Sequence, residues 1–256
     1  EDVRKAVEGA DCVLILGAFM TDINLGIYTA QLDIKRTINA TSESTAISHH
    51  QYDGIRLKHF IEELTKAKIG PKRKLKAKRG AEPKPFVVKP SQEMTVARFF
   101  KRMNEFLDEK TMVICDIGDS LFGAADLTIH RRTEFISPAY YTSMGFAVPA
   151  ALGAQANQRR KRPIVFVGDG AFQMTGLELS TIAKEGLNPA VFVLNNKGYS
   201  TERFIRDGDY NDIHDWAFHK IPEVLQAGWG AEVHTEGDLE AVLERVRRLV
   251  DKDASL

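Results

Sequence analysis

Apolar residues fall along this chain in two rhythms. Short continuous runs rich in β-branched and aromatic residues, Cys12-Val-Leu-Ile-Leu16, Met112-Val-Ile-Cys115, Pro163-Ile-Val-Phe-Val167 and Ala190-Val-Phe-Val-Leu194, read as strands buried on both faces. Elsewhere apolar positions recur at helical spacing. Such stretches cover residues 2 to 8, Leu57 to Leu64, Met94 to Phe106, Ser143 to Gln155, Ala171 to Gly186 and Asp238 to Val250. Ser91 stands where the third of these would be N-capped, and Ala231-Glu-Val233 predicts a last short strand. Strands alternating with helices predict an α/β protein built of doubly wound parallel sheets.

Composition interrupts this pattern once. Lys66 to Pro90 carries ten Lys or Arg and four Pro among few apolar residues, the signature of a solvated linker. It divides the chain into a first domain over residues 1–67, a linker over 68–90 and a second domain over 91–256. The basic cluster lacks interleaved aromatics and a recognition fold, so no nucleic-acid partner is expected. The chain opens on Glu1 inside a helix and stops after a helix where a closing strand would be expected. It reads as a piece of a longer polypeptide.

Charge and cysteine content narrow the classes further. Lys plus Arg and Asp plus Glu are 35 each in 256 residues, with 43% hydrophobic positions to supply cores, so no global field points to nucleic acid or an anionic membrane. The two cysteines, Cys12 and Cys115, each fall in an apolar run and read as buried free thiols, which fits a cytoplasmic location. No stretch approaches the roughly 20 apolar residues of a membrane span, and no signal peptide is visible.

Candidate chemistry concentrates between Gly168-Asp-Gly170 and Asn195-Asn196, twenty-four residues apart. The interval reads as strand, helix, strand, which brings Asp169 and Asn196 to one edge of a parallel sheet. Asp169 offers a carboxylate oxygen and Asn196 an amide oxygen, hard ligands of the kind Mg²⁺ takes at about 2.0 to 2.1 Å, completed by waters and phosphate oxygens. Gly170 permits close approach of a phosphate, and the amides opening the following helix suit its charge. Gly198 can turn a carbonyl toward the same ion. Asp116 lies at a strand end of the same kind.

The two halves of this motif, at this spacing, resemble the diphosphate-binding motif of thiamine diphosphate (ThDP) enzymes. The chain resembles their 2-keto acid decarboxylases, acting on pyruvate, indolepyruvate or phenylpyruvate. Further stretches that carry the resemblance are Glu8 to Gly17, Cys115 to Phe122, Tyr140 to Phe146, Gly168 to Gly176 and Asn195 to Glu202. The indolepyruvate and phenylpyruvate branch looks closest, through Gly168 to Gly176 and Asn211-Asp-Ile-His-Asp-Trp216. The resemblance implies that residues 1–67 are the C-terminal part of a Rossmann-like central domain and that 91–256 form the ThDP diphosphate-binding domain.

It also implies roles for single residues. Asp169, Asn196 and the carbonyl of Gly198 would ligate Mg²⁺, and Gly170, Ala171 and Tyr199 would line the cofactor. Met144 would be the wedge that bends it, with the backbone of Thr142 and Met144 at the aminopyrimidine edge. Glu202 would handle protons beside the leaving carboxylate. Gly118-Asp119-Ser120 corresponds to a diphosphate-proximal turn where many members carry Gly-Thr-Ser. A carboxylate aimed at a diphosphate repels it, so Asp119 either turns away or accepts hydrogen bonds while Ser120 and backbone amides make the contact.

His49-His50 read as surface histidines, because the family's catalytic pair belongs to another domain. Trp216, Trp229 and Tyr140 read as packing residues, with Tyr140 or Phe122 able to border a pocket. The resemblance further implies a cofactor-activating glutamate in a pyrimidine-binding domain that has no counterpart here, supplied by the same parent chain or a partner subunit. On that reading this chain alone is inactive, and the assembly is a homodimer or homotetramer acting on a small-molecule 2-keto acid. Two other readings stand beside it: an acetolactate synthase-like carboligase, and a non-catalytic cofactor-binding subunit.

Overall fold

The computed structural model describes residues 2–22, 24–26, 28–67, 85–129 and 134–253, with residues 2 and 249–253 by backbone alone. The chain divides into two compact units, Glu1–Glu82 and Pro83–Leu256. Residues 68–84, most of the expected linker, lie outside the described residues.

The first unit runs α1 (Asp2–Glu8), β1 (Val13–Leu16), β2 (Thr37–Ala40), β3 (Ser44–Ile47), β4 (His50–Asp53) and α2 (Leu57–Lys66). Its sheet has the order β1-β2-β3-β4. β1 and β2 pair in parallel, whereas β2-β3 and β3-β4 are antiparallel. The α/β class holds, but the parallel winding expected here is confined to one strand pair. The connections explain why: twenty residues separate β1 from β2, enough for a crossover, while the turns after β2 and β3 are too short for one. Thr41 Oγ1 closes the first of these turns by accepting from the Glu43 and Ser44 amides at 3.3 and 3.1 Å. Cys12 is exposed, contrary to expectation, because β1 begins one residue later. His49 and His50 are exposed as expected.

The second unit contains α3 (Val96–Phe106), β5 (Thr111–Cys115), α4 (Asp119–Ala124), β6 (Phe135–Ile136), α5 (Ala147–Asn157), β7 (Arg162–Gly168), α6 (Asp169–Thr175), α7 (Leu179–Lys184), β8 (Ala190–Leu194), α8 (Ser200–Ile205), α9 (Ile221–Val224) and α10 (Glu236–Asp253). Its sheet is wholly parallel, ordered β6-β5-β7-β8. Alternation along β5 and β7 builds two cores. Val113, Cys115, Ile164 and Phe166 face α3, α4 and α10, through Phe99, Phe100, Met103, Ala124, Leu239 and Leu243. Met112, Ile114, Val165 and Val167 face α5, α6 and α7, through Ala147, Val148, Ala151, Phe172 and Ile182. Helices on both faces bury both sides of the sheet, which is why these strands read as unbroken apolar runs.

Strand order reverses between β5 and β7. The chain leaves β5 for one face through α4 and leaves β7 for the other through α6, so the carboxyl ends of these two strands flank the crevice where ligands of doubly wound sheets bind.

Three local expectations are corrected. The helix placed after Ser91 begins at Val96, capped by Thr95, whose Oγ1 accepts from the Arg98 amide at 3.3 Å. The single helix expected over Ala171–Gly186 breaks into α6, a 3₁₀ turn at Gly176–Glu178 and α7. At that break a Cβ on Gly176 would lie 2.3 Å from the Phe172 ring. The strand expected at Ala231–Val233 is irregular chain, with one isolated bridge between Thr235 and Glu93. The Asp238 carboxylate takes the His234 and Thr235 amides at 3.1 and 2.9 Å, and Thr235 Oγ1 takes the Asp238 amide at 3.2 Å, a reciprocal cap that starts α10 there. No helix among the described residues is long and apolar enough to cross a membrane.

A buried ion pair ties α3 to α10. Glu236 accepts from Arg98 Nε and Nη2 at 2.6 and 2.7 Å and from the Lys89 amide at 2.7 Å, and the same guanidinium lies 4.0 Å from the Phe86 ring centroid. The Arg98 hydrogen bonds, against burial, hold the Glu236 pKa below its ordinary 4.5. A carboxylate with a lowered folded pKa contributes stability in full above its unfolded pKa and loses it as pH falls through the folded one. Stability is therefore expected to fall below about pH 4.5. Glu236→Gln should be less stable at neutral pH and flatter in the acid window, as measured by urea midpoints across that range.

Candidate cofactor-binding and active site

Three turns meet at the carboxyl edge of the second sheet. The first follows β5. Asp116 is wholly buried, and its carboxylate accepts from the amides of Ile117 and Gly145 at 3.1 and 3.2 Å and of Ala147 at 2.9 Å. Ala147 opens α5, whose N-cap position, Phe146, supplies no side-chain bond, so Asp116 caps the helix from the neighbouring strand. Burial raises the Asp116 pKa, opposed by these amides.

The segment Asp116 holds is the one carrying Thr142 and Met144. Thr142 has φ 53° and Gly145 φ 81°, a backbone that a threonine adopts at some cost. Thr175 Oγ1 donates to the Gly145 carbonyl at 2.6 Å, pinning the turn from α6 as well. Met144 is partly buried against the second core. α5 consequently starts at Ala147, four residues later than the apolar pattern placed it.

The second turn follows β7. Asp169 is buried, with Oδ1 accepting from the Gly170 amide at 2.7 Å and Oδ2 from the Gly198 amide at 3.0 Å. One side chain thus joins both halves of the sequence motif. Burial raises its pKa against the amides of Gly170, Gly198 and Lys197, and Asp215 raises it further. The Tyr199 ring covers Gly170, where a Cβ would come within 2.4 Å of it. Ala171 is buried in the second core.

The third turn follows β8. Lys197 has φ 62°, and Gly198 has φ 137° with a Cβ position 2.1 Å from the Asn211 carbonyl oxygen, so no larger residue fits. The Gly198 carbonyl accepts from the Ser200 amide at 3.1 Å and keeps a second lone pair. Arg203 braces the turn, donating to the Lys197 carbonyl at 3.2 Å and Asp212 Oδ1 at 2.6 Å. Asn196 Nδ2 donates to Asp119 Oδ2 at 3.0 Å and to Ser200 Oγ at 2.9 Å.

Asp119 therefore accepts hydrogen bonds, the second of the alternatives left open by the sequence. Gly118 enters that turn at φ 72°. Ser120 Oγ, one residue after Asp119 in the same turn, is buried without a partner. Glu202 is exposed on α8 and makes no side-chain bond among the described residues. Beside it Phe204 is 92% and Ile205 71% exposed, and Tyr199, Glu202, Ile205, Arg206, Tyr210 and Asn211 line a shallow groove. Tyr140, expected to pack, is half exposed, with its ring edge-on to Tyr141 at 4.6 Å. Trp229 packs against the first core.

The anchoring roles of Asp116, Ser200 and Arg203 escaped the sequence reading. Ser200 carries a usable signal, a hydroxyl residue at a helix start four after Asn196. Asp116 and Arg203 act on partners remote in sequence.

No group of three or more His, Cys, Asp or Glu side chains is arranged to hold a metal ion among the described residues. A donor set of one carboxylate, one amide oxygen and a carbonyl suits a hard cation that draws its other ligands from phosphate and water.

The family described as thiamine pyrophosphate enzyme, C-terminal TPP binding domain, matches residues 116–254. Indole-3-pyruvate decarboxylase of Azospirillum brasilense is 32% identical over 251 residues, covering 95% of this chain and 45% of the relative. An alpha-keto-acid decarboxylase of Mycolicibacterium paratuberculosis is 31% identical over 256 residues, covering 98% of this chain and 46% of the relative. Pyruvate decarboxylase of Aspergillus terreus is 33% identical over 232 residues, covering 88% and 41% respectively. The chain spans under half the length of these relatives.

Proposed function

The chain belongs to the thiamine pyrophosphate enzymes through its cofactor-binding domain, and we propose that the protein containing it decarboxylates a 2-keto acid non-oxidatively to an aldehyde and CO₂. Indolepyruvate and phenylpyruvate are the substrates we favour. The observation that carries the proposal is Asp169, a buried carboxylate bonded to the Gly170 and Gly198 amides within a region that matches the family. When bound, the cofactor supplies the carbanion and the electron sink the reaction needs.

The residues present fit that group. Asp169, Asn196 Oδ1 and the Gly198 carbonyl would hold Mg²⁺, neutralising a charge whose burial is otherwise costly. Ser120 Oγ, buried without a partner, would donate to the diphosphate, with the Gly118 turn, Gly170, Ala171 and Tyr199 around it. The backbone of Thr142 and Met144 would face the aminopyrimidine, and the Met144 side chain would set the bend between the rings. Glu202, at the start of α8, would give or take the proton near the leaving carboxylate.

The remaining part of the site would come from a pyrimidine-binding domain, of the same parent chain or a partner subunit, with a homodimer or homotetramer as the assembly. The exposure of Phe204 and Ile205, adjacent on α8 beside Glu202, supports a covering partner, since neighbouring large apolar side chains favour burial. The isolated chain would then be inactive.

Turnover of a panel of 2-keto acids by the full-length protein tests this reading. Aldehyde and CO₂ in equal amounts, dependent on ThDP and Mg²⁺, are expected, and a carboligation product with no free aldehyde would overturn it. Glu202→Gln is expected to bind ThDP with unchanged affinity while turnover falls about 100-fold or more. Equal turnover would make Glu202 a surface residue.

A further inference from the structure

We infer that Asp119 is a positioning residue that fixes which end of the Asn196 amide is offered to the metal ion. The inference rests on the Mg²⁺ site proposed above. Asp119 opens α4 after β5, and Asn196 follows β8. These strands are not neighbours, because β7 lies between them. Their turns are nevertheless joined by a closed set of three hydrogen bonds: Asn196 Nδ2 to Asp119 Oδ2 at 3.0 Å, Asn196 Nδ2 to Ser200 Oγ at 2.9 Å, and Ser200 Oγ to the same Asp119 Oδ2 at 2.8 Å.

The chemistry of the three groups settles the amide's orientation. An ionised carboxylate can only accept, so it requires the NH₂ end of Asn196. The Ser200 hydroxyl has committed its one proton to Asp119 and can then only accept from Asn196. Both partners demand the amide nitrogen, and Oδ1 is the atom left for a cation. Without Asp119 the serine proton is free to rotate. Ser200 could then donate to Oδ1 as readily as accept from Nδ2, and the flipped amide would present two N–H groups to Mg²⁺. Taking two donors also answers the difficulty of a carboxylate at a diphosphate-proximal turn.

Partners that orient a metal ligand are commonly worth about 10- to 100-fold in metal affinity. Calorimetric titration of Mg²⁺ into the full-length protein at saturating ThDP tests the assignment. Asp119→Ala is expected to raise the Mg²⁺ dissociation constant by about 10- to 100-fold. Asp119→Asn, whose amide can offer its oxygen to Asn196 Nδ2 or its NH₂ to Asn196 Oδ1, no longer imposes one orientation and should lose affinity, by less than alanine. Thermal unfolding without ligands separates loss of the fold from loss of orientation. If Asp119→Ala does not fold, Asp119→Asn decides alone: a loss of Mg²⁺ affinity sustains the inference, and wild-type affinity overturns it. Wild-type affinity in Asp119→Ala, or equal losses in both variants, would also overturn it, the latter because negative charge and not orientation would be operating. A wild-type protein that binds no Mg²⁺ would remove the proposed site itself, and the inference with it.

Discussion

Asp169→Ala is expected to weaken Mg²⁺-dependent ThDP binding by roughly 100- to 1,000-fold, or about 3 to 4 kcal/mol, the scale of removing one partner from a buried charge interaction. Asp169 is buried, and the groups that stabilise its charge are backbone amides, with Asp215 opposing them. Without the cation it is a costly group to keep in the interior. Its replacement leaves the Gly170 and Gly198 N–H groups without their acceptors and also removes a buried charge, two effects of opposite sign on the ligand-free melting temperature. The stabilisation that ThDP and Mg²⁺ give the wild type is expected to be lost. Thermal shift with and without both ligands reads this loss separately from the ligand-free change. A variant that is stabilised as much as wild type would take Asp169 out of the site.

Asp116→Ala is expected to lower stability by about 2 to 5 kcal/mol, because the amides of Gly145 and Ala147 would be left in the interior without an acceptor, each at about 1 to 3 kcal/mol. For a unit of this size that corresponds to a fall in melting temperature of roughly 5 to 15 °C. Asp116→Asn keeps one acceptor oxygen and should fall between wild type and alanine. The same change frees the Thr142–Gly145 turn, whose backbone lies at φ 53° and 81° at its two ends, so ThDP affinity should fall further than affinity for inorganic pyrophosphate. A melting temperature within about 2 °C of wild type would mean that the turn holds itself.

The second unit was largely legible in the sequence because its central strands are covered on both faces, and continuous apolar runs such as Ile164 to Val167 have few other uses. The first unit was less so. Its β2-β3-β4 meander depends on two short turns, one closed by the Thr41 hydroxyl, and turn closure leaves no periodic trace. The strand expected at Ala231 failed for a related reason, since the reciprocal cap between Thr235 and Asp238 outweighed three residues of strand propensity.

At the site, spacing brought Asp169 and the Asn195-Asn196 turn together, and the structure joins them through the Gly198 amide. What spacing could not reveal is the bracing. Asp116 meets residues about thirty positions away, and Asp119 meets Asn196 and Ser200 at separations of 77 and 81. Those pairings exist only once the sheet order β6-β5-β7-β8 sets three turns side by side.

The most direct test of the central claim is calorimetric titration of ThDP into the full-length, cofactor-free protein, once with Mg²⁺ and once with a chelator. Saturable binding with Mg²⁺ that weakens by roughly 100-fold or more with the chelator is the result predicted for a diphosphate held through a cation at Asp169. Equal affinity in the two titrations, or no binding in either, would contradict it.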